Sequence, residues 1–198
     1  MRPEEFSHTL AEARAGKGLA LGALFHDLYP RILRYLRAFE PVEAEDLATD
    51  TWLDVTSALE VFDGDQRALR ALALMVARNR VLDLQPHVRR TIPSIGPDLP
   101  GYDPVSLDLD EASEWDEDLP VVAVDDHTVA EIATDAALDR VASLPREQAD
   151  VILLTILGEL SADEVARIVG TRSDTVRVIQ HQALVRLFHR AARERVPR

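Results

Sequence analysis

The chain has 198 residues, a formal net charge of −13 and no cysteine. Its length suffices for one or two small domains with their own cores, and the absence of cysteine excludes disulfides and thiolate metal sites. No run of about 18 apolar residues is present, which predicts no membrane span. Because the N-terminus also lacks the apolar stretch of a signal peptide, we expect a cytoplasmic protein.

Charge is distributed unevenly along the chain. Residues 1–90 carry a net charge of −2 and residues 136–198 a net charge of +2. Residues 91–135 contain 13 acidic residues and no lysine or arginine, and this segment begins with four prolines. Such a composition predicts an extended or flexible linker. We therefore predict domains at 1–90 and 136–198 joined by an acidic linker at 91–135, in which Trp115 is either a docking anchor or an isolated exposed aromatic.

Three helices are predicted in the first block. Apolar residues step by three and four from Leu21 to Phe39, and Pro41 ends that run. The second predicted helix runs from about Glu43 to Leu59, and the turn-rich segment 62–66 follows it. The third runs from about Arg67 to Leu84 and has a predicted core face at Leu69, Leu72, Val76, Asn79 and Leu82.

Four helices are predicted in the last block, and the final two have the spacing of a helix-turn-helix over residues 161–187. Ser143 is the expected cap of the second of the four helices. In the helix-turn-helix, Gly170 predicts a left-handed turn, and Thr171 is the expected N-cap of the last helix. The last helix has a core face at Val176, Ile179, Ala183 and Leu187. Taken alone, this pattern fits either a DNA-binding unit or two ordinary core helices.

The order of these motifs resembles a bacterial RNA polymerase sigma factor of the extracytoplasmic-function (ECF) group. LFHDLYPRILRYLRAF (24–39), AEDLATDTWLDV (44–55) and the segment from FDGD to LDL (62–84) resemble sigma region 2. The stretch from LDRVASLPREQ to ALVRL (138–187) resembles region 4. The resemblance implies an all-α fold, with a region 2-like three-helix bundle and a region 4-like helix-turn-helix domain.

The resemblance also implies interfaces. An acidic stripe on the second helix would dock on the polymerase: Glu43, Asp46, Asp50 and Asp54. The loop and helix after it would contact the −10 promoter element through Asp63, Asp65, Arg67, Arg70, Arg78 and Arg80, since arginines pair with phosphates and stack on bases. Family members usually carry a tryptophan near position 72, where this chain has Leu72, so aromatic stacking on melted bases is expected to be weak.

The last helix would read the −35 element. The candidate residues are Arg172, Ser173, Thr175, Arg177, Val178 and His181. Arg177 could bind a guanine bidentately and Val178 could meet a thymine methyl, while Ser173 or Thr175 could hold phosphates. The resemblance thus implies core RNA polymerase and promoter DNA as partners, and possible control by an anti-sigma factor.

Enzymatic motifs are not found, and no catalytic residue, metal site or cofactor is expected. Two alternative functions remain at this point: a sigma-like mimic that sequesters an anti-sigma factor, and a helix-turn-helix repressor that acts without polymerase. The acidic linker could occupy a basic channel of the polymerase as a nucleic-acid mimic, or could lie across the region 4 arginines of the free protein.

Overall fold

Eight α-helices form the parts of the chain that the structure, a computed structural model, describes: residues 3–84 and 135–194. No strand occurs within those ranges. The helices are α1 (Pro3–Arg14), α2 (Gly18–Phe39), α3 (Ala44–Ala58), α4 (Gln66–Leu84), α5 (Asp135–Ala142), α6 (Arg146–Gly158), α7 (Ala162–Val169) and α8 (Ser173–Glu194). The all-α prediction is therefore confirmed.

The N-terminal helices include the three predicted ones and a further helix, α1, that was not predicted. Phe6, Leu10 and Ala13 occupy positions i, i+4 and i+7 of α1, and all three are buried against the rest of the fold. Nε of Arg14 donates a 2.9 Å hydrogen bond to the carbonyl of Leu59 and so ties the end of α1 to the end of α3. The apolar spacing that identifies this helix was present in the sequence.

The buried face of α4 differs from the predicted one. Leu69 and Leu82 are buried as predicted, but Asn79 is exposed and Leu72 and Val76 are only half-buried. Ala73, Leu74, Ala77 and Val81 are buried instead, because α4 packs against α2, α3 and α6. An apolar stripe alone could not reveal a helix that packs against three others.

The C-terminal helices match the prediction in number but differ at two helix starts. Pro145 is the residue before α6, and the Ser143 hydroxyl donates to the carbonyl of Arg140 instead of capping α6. The last helix begins at Ser173, so Thr171 is not its N-cap. A capping box does exist, but at the start of α7, where Ser161 and Glu164 bond each other's backbone N–H groups.

The two groups of helices pack against each other. Helices α2 and α4 contact α6, and α2 also contacts α5, so α6 is buried along almost its whole length. The predicted linker, 91–135, lies outside the described residues apart from Asp135, which begins α5. Among the described residues, no helix has the length and apolarity needed to cross a bilayer.

Candidate nucleic-acid and polymerase interfaces

The helix-turn-helix presents one face of α8 to solvent. Gly170 adopts the left-handed conformation, with φ at 77°, and ends α7 so that α8 can turn away from it. The inner face of α8 is buried in the core through Val176, Ile179 and Ala183. The burial of this face leaves the opposite side of the helix available for contact.

The predicted −35 residues lie on or beside that outer face. Arg172, Arg177 and Val178 are exposed, and Ser173, Thr175 and His181 are half-buried. Nη1 of Arg177 is 3.0 Å from Oδ1 of Asp174 one turn earlier, an exposed ion pair of the kind that contributes little stability. Arg177 can therefore exchange this partner for a base or a phosphate at low cost.

The predicted polymerase-docking stripe lies along α3, and Glu43, Asp46, Asp50 and Asp54 are all exposed. Arg80 of α4 reaches across to the C-terminal half of the stripe, with its guanidinium 2.5 Å from Asp54 and 3.5 Å from Asp50. Within the described residues, Asp46 has no such partner. The uncompensated negative charge is thus concentrated at the start of α3.

The acidic residues predicted for −10 contact have different surroundings. Asp63 is exposed in the loop between α3 and α4. Asp65 accepts a 2.7 Å hydrogen bond from the backbone N–H of Ala68, which is the geometry of an N-cap at the start of α4. Asp65 therefore has a structural role that sequence reasoning did not assign to it.

Three of the arginines predicted for −10 contact face carboxylates of the C-terminal helices. Arg67 lies 2.8 Å from Glu164 and Arg70 lies 2.7 Å from Glu159. Arg78 lies 2.8 Å from Asp150 and is almost completely buried. Arg70 and Arg78 are largely withdrawn from solvent by these contacts, whereas the side chain of Arg67 remains 47% exposed.

A second arginine–carboxylate cluster links α2 to α4 beside these contacts. Arg70 donates to both oxygens of Asp27, at 3.1 and 2.9 Å. Partial burial by itself would raise the pKa of Asp27, but the hydrogen bonds from Arg70 and Gln66 outweigh it and lower that pKa. Arg31 adds a hydrogen bond of 2.5 Å to the carbonyl of Leu157 and an ion pair of 3.0 Å with Glu159.

A buried polar cluster joins Tyr35, Arg78 and Asp150. The Tyr35 hydroxyl and Nε of Arg78 each donate a 2.8 Å hydrogen bond to Asp150, one to each carboxylate oxygen. Burial, followed by the nearby charge of Asp150, raises the pKa of Tyr35 well above its usual value. This cluster was not predicted; its signal in the sequence is an aspartate directly before the apolar run 151–154.

No group of three or more potential metal ligands occurs among the residues that the structure describes. The chemistry of the surfaces above is that of ion pairing and hydrogen bonding. It suits the binding of nucleic acid and of basic protein surfaces.

Comparison with known proteins agrees with this architecture. Residues 24–91 match the family described as Sigma-70 region 2, and residues 134–187 match the family described as Sigma-70, region 4. The ECF RNA polymerase sigma factor SigD of Mycobacterium tuberculosis is 26% identical over 200 residues, covering 94% of this chain and 84% of SigD. ShbA, an ECF RNA polymerase sigma factor of Streptomyces griseus, is 29% identical over 181 residues, covering 87% of each chain.

A solved structure has the same fold. CnrH, in complex with the cytosolic domain of CnrY, superposes with a TM-score of 0.57 at 18% identity, covering 94% of this chain and 97% of CnrH. Two helical units in this order, the second with a helix-turn-helix, define a class of transcription-initiation proteins. The chain belongs to the sigma-70 family of RNA polymerase sigma factors, within its ECF group. Core RNA polymerase and promoter DNA are the partners that these two regions imply.

Proposed function

We propose that this chain binds core RNA polymerase and directs transcription initiation at promoters whose −35 element is read by α8 and whose −10 element is contacted by the arginines of α4. The observation that carries the proposal is the exposed outer face of α8, which carries Arg177 and Val178 and has the exposed Arg172 directly before it, while the inner face is buried. A helix that enters the major groove needs one buried face that packs on its own domain and one exposed face that contacts the DNA.

The acidic stripe of α3 supports the polymerase-binding part of the proposal. Glu43 and Asp46 present negative charge at the start of that helix, where a basic partner surface could orient the chain during encounter. The near-neutral charge of residues 136–198 supports a promoter-binding domain that depends on the polymerase for its DNA affinity. A domain with so few excess cations gains little affinity from contacts with phosphates.

The test is run-off transcription from fragmented bacterial DNA with core polymerase and the purified chain, followed by mapping of transcript starts. We expect starts that share upstream −10 and −35 sequences and that disappear when the chain is omitted. Polymerase binding without any specific start would contradict the promoter-reading part, and DNA binding without polymerase would favour an independent repressor.

A second candidate is capture by an anti-sigma factor, either as regulation of the sigma factor or as the whole function of a sigma-like mimic. Val185 and Phe188 are exposed on α8 beyond the predicted base-reading positions, and Phe188 is 67% exposed. Large exposed apolar side chains favour a protein contact over a nucleic-acid contact. Run-off transcription separates the two roles, because a mimic binds its partner but starts no transcript.

A further inference from the structure

We propose that Asp174 and Arg177 of α8 act as one unit that recognises a single G·C base pair of the −35 element, and that Asp174 is the residue that rejects an A·T pair there. The proposal rests on the proposed function, because it names the base pair that α8 selects. Its basis is an ion pair on the exposed side of α8, in which Nη1 of Arg177 donates to Oδ1 of Asp174 over 3.0 Å. Asp174 is not among the residues that the sequence predicted for −35 contact.

The side chain of Asp174 stands on the outer face of α8. Asp174 precedes Val178 by four residues and His181 by seven, so the three side chains follow one line along the helix surface. That line is opposite the face through which Val176 and Ala183 are buried in the core. Asp174 is 74% exposed and lies in the first turn, and the first turns of a recognition helix are the part that contacts base edges.

The ion pair presents donors and an acceptor side by side. A guanidinium carries five N–H groups, so Nη1 of Arg177 retains a second hydrogen beyond the one directed at Asp174, and Nη2 carries two more. Arg177 can therefore donate to a base while it keeps its carboxylate partner. Across the pair the order of hydrogen-bonding groups is donor, donor, acceptor, at Nη2, Nη1 and Oδ1.

This order complements the edge of a G·C pair in the major groove. Guanine presents N7 and O6 as acceptors there, and cytosine presents the N4 amino group as a donor beside O6. N4 and O6 are joined by the base-pair hydrogen bond, so they lie about 2.9 Å apart. Nη1 of Arg177 and Oδ1 of Asp174 are separated by 3.0 Å. The ion pair thus matches the base pair in both order and spacing.

An A·T pair has the opposite pattern at two of these three places. Adenine presents N7 as an acceptor and N6 as a donor, and thymine presents O4 as an acceptor. Nη1 of Arg177 would then face a donor, and Oδ1 of Asp174 would face an acceptor. Because repulsive contacts against the wrong partner contribute to specificity, Asp174 adds discrimination that Arg177 alone does not supply.

The charge of Asp174 excludes a role in general DNA affinity, since a carboxylate that approaches DNA is repelled by its phosphates. A second role for such a residue is stabilisation of the helix start through the helix dipole. Asp163 occupies the equivalent place in the other helix of the helix-turn-helix, because it is the second residue of α7 as Asp174 is the second residue of α8. A matched change at Asp163 therefore separates helix stabilisation from base recognition.

The test uses full-length chains in two assays. The first selects bound sequences from a pool of random DNA duplexes at low salt, where phosphate contacts raise the affinity of the chain without polymerase. The second is run-off transcription with core polymerase on a promoter library with single −35 substitutions. The variants are Asp174→Asn, Arg177→Ala and the control Asp163→Asn, which removes one charge from an exposed side chain that forms no ion pair among the described residues.

We expect the wild-type chain to prefer G·C at one −35 position. Asp174→Asn should reduce the preference for G·C over A·T at that position by at least about fivefold, the lower end of the discrimination that one base contact provides. Arg177→Ala should relax the same position. Asp163→Asn should leave the preference unchanged, and any general gain in affinity from the lost charge should appear in both asparagine variants.

An unchanged preference in Asp174→Asn would overturn the inference, and so would relaxation at a position that Arg177→Ala does not affect. A loss of preference that Asp163→Asn reproduces would also overturn it, because helix stabilisation would then explain the effect. If duplex selection shows an Asp174-dependent G·C pair but no chain supports transcription, the proposed function fails while base-pair recognition stands. If specific transcription does not depend on Asp174, the inference fails while the proposed function stands. The absence of any preferred pair from both assays would overturn both.

Discussion

The hydroxyl of Tyr35 donates a hydrogen bond of 2.8 Å to Asp150, which lies 115 residues further along the chain. The second carboxylate oxygen of Asp150 accepts from Arg78 at 2.8 Å. A buried carboxylate at the contact between the two groups of helices is thus satisfied by one neutral and one charged donor. Removing the donor and removing the carboxylate should have different consequences, because only the latter leaves a buried charge without a partner.

The first prediction concerns this difference in stability. Asp150→Ala leaves the guanidinium of Arg78 buried and uncompensated, and we expect a loss of about 3–5 kcal/mol in the free energy of unfolding. Tyr35→Phe removes one hydrogen bond of a neutral donor and should cost about 1 kcal/mol. Urea denaturation followed by circular dichroism measures both values. An Asp150→Ala variant as stable as Tyr35→Phe would show that Arg78 finds another partner or becomes solvated.

The second prediction concerns alkaline pH. Burial, with the charge of Asp150, raises the pKa of Tyr35 in the folded chain above the value of about 10 expected in the unfolded chain. The folded state therefore keeps the Tyr35 proton to a higher pH than the unfolded state does. The stabilisation that this group contributes is fully present below pH 10 and is lost as the pH rises above it. The chain has three tyrosines and one lysine, so few other groups titrate in that range.

The measurement is the urea midpoint from pH 8 upward for wild type and Tyr35→Phe. Above pH 10 the wild-type urea midpoint should fall more steeply than that of Tyr35→Phe, because the variant lacks the hydroxyl whose ionisation causes part of the loss of stability. Profiles that stay parallel over the whole range would mean that Tyr35 ionises in the folded chain as it does in the unfolded one.

The third prediction concerns base reading by α8. Arg177→Ala should weaken transcription from the mapped promoters and relax the preference at one −35 position, with a loss of discrimination of about 1–3 kcal/mol. Ser173→Ala should weaken binding similarly at all sequences, since a phosphate contact carries no base information. Run-off transcription on a promoter library with single −35 substitutions compares the two variants. If Arg177→Ala weakens transcription equally at every −35 sequence, Arg177 contacts a phosphate and not a base.

The fourth prediction concerns the acidic stripe of α3. Asp46→Lys reverses a charge that has no partner among the described residues, and we expect core-polymerase binding to slow by about tenfold, most strongly at low salt. Glu60→Lys makes the same change at an exposed position outside the stripe and serves as the control. Association rates from surface plasmon resonance at two salt concentrations test this. Equal slowing in both variants would indicate general repulsion instead of a docking site.

The sequence predicted the helix order well because apolar spacing and turn residues are local properties. The left-handed Gly170 and the buried inner face of α8 follow directly from that pattern. The pairing of Arg70 with Glu159 and of Arg78 with Asp150 did not, since it depends on how two distant groups of helices meet. An arginine in a sequence has the same appearance whether its partner is DNA or a carboxylate of the same chain. The functional residues that were missed are therefore those defined by tertiary contact.

The last prediction uses two glycines to test the contact between α4 and α6. A Cβ at Gly158 would lie 2.7 Å from Cγ of Leu160 and 3.0 Å from Cδ1 of Leu74, so Gly158→Ala overpacks the contact and should cost about 1–3 kcal/mol of unfolding free energy. Gly22, inside α2, has no atom within 4 Å of such a Cβ. Gly22→Ala should therefore stabilise the chain by up to about 1 kcal/mol, because alanine favours a helix interior more than glycine does. Urea denaturation of both variants gives the comparison. Small-angle X-ray scattering of Gly158→Ala should show a larger radius of gyration than that of the wild-type chain. If both alanines stabilise the chain equally, Leu160 and Leu74 do not fill the space beside Gly158 in solution.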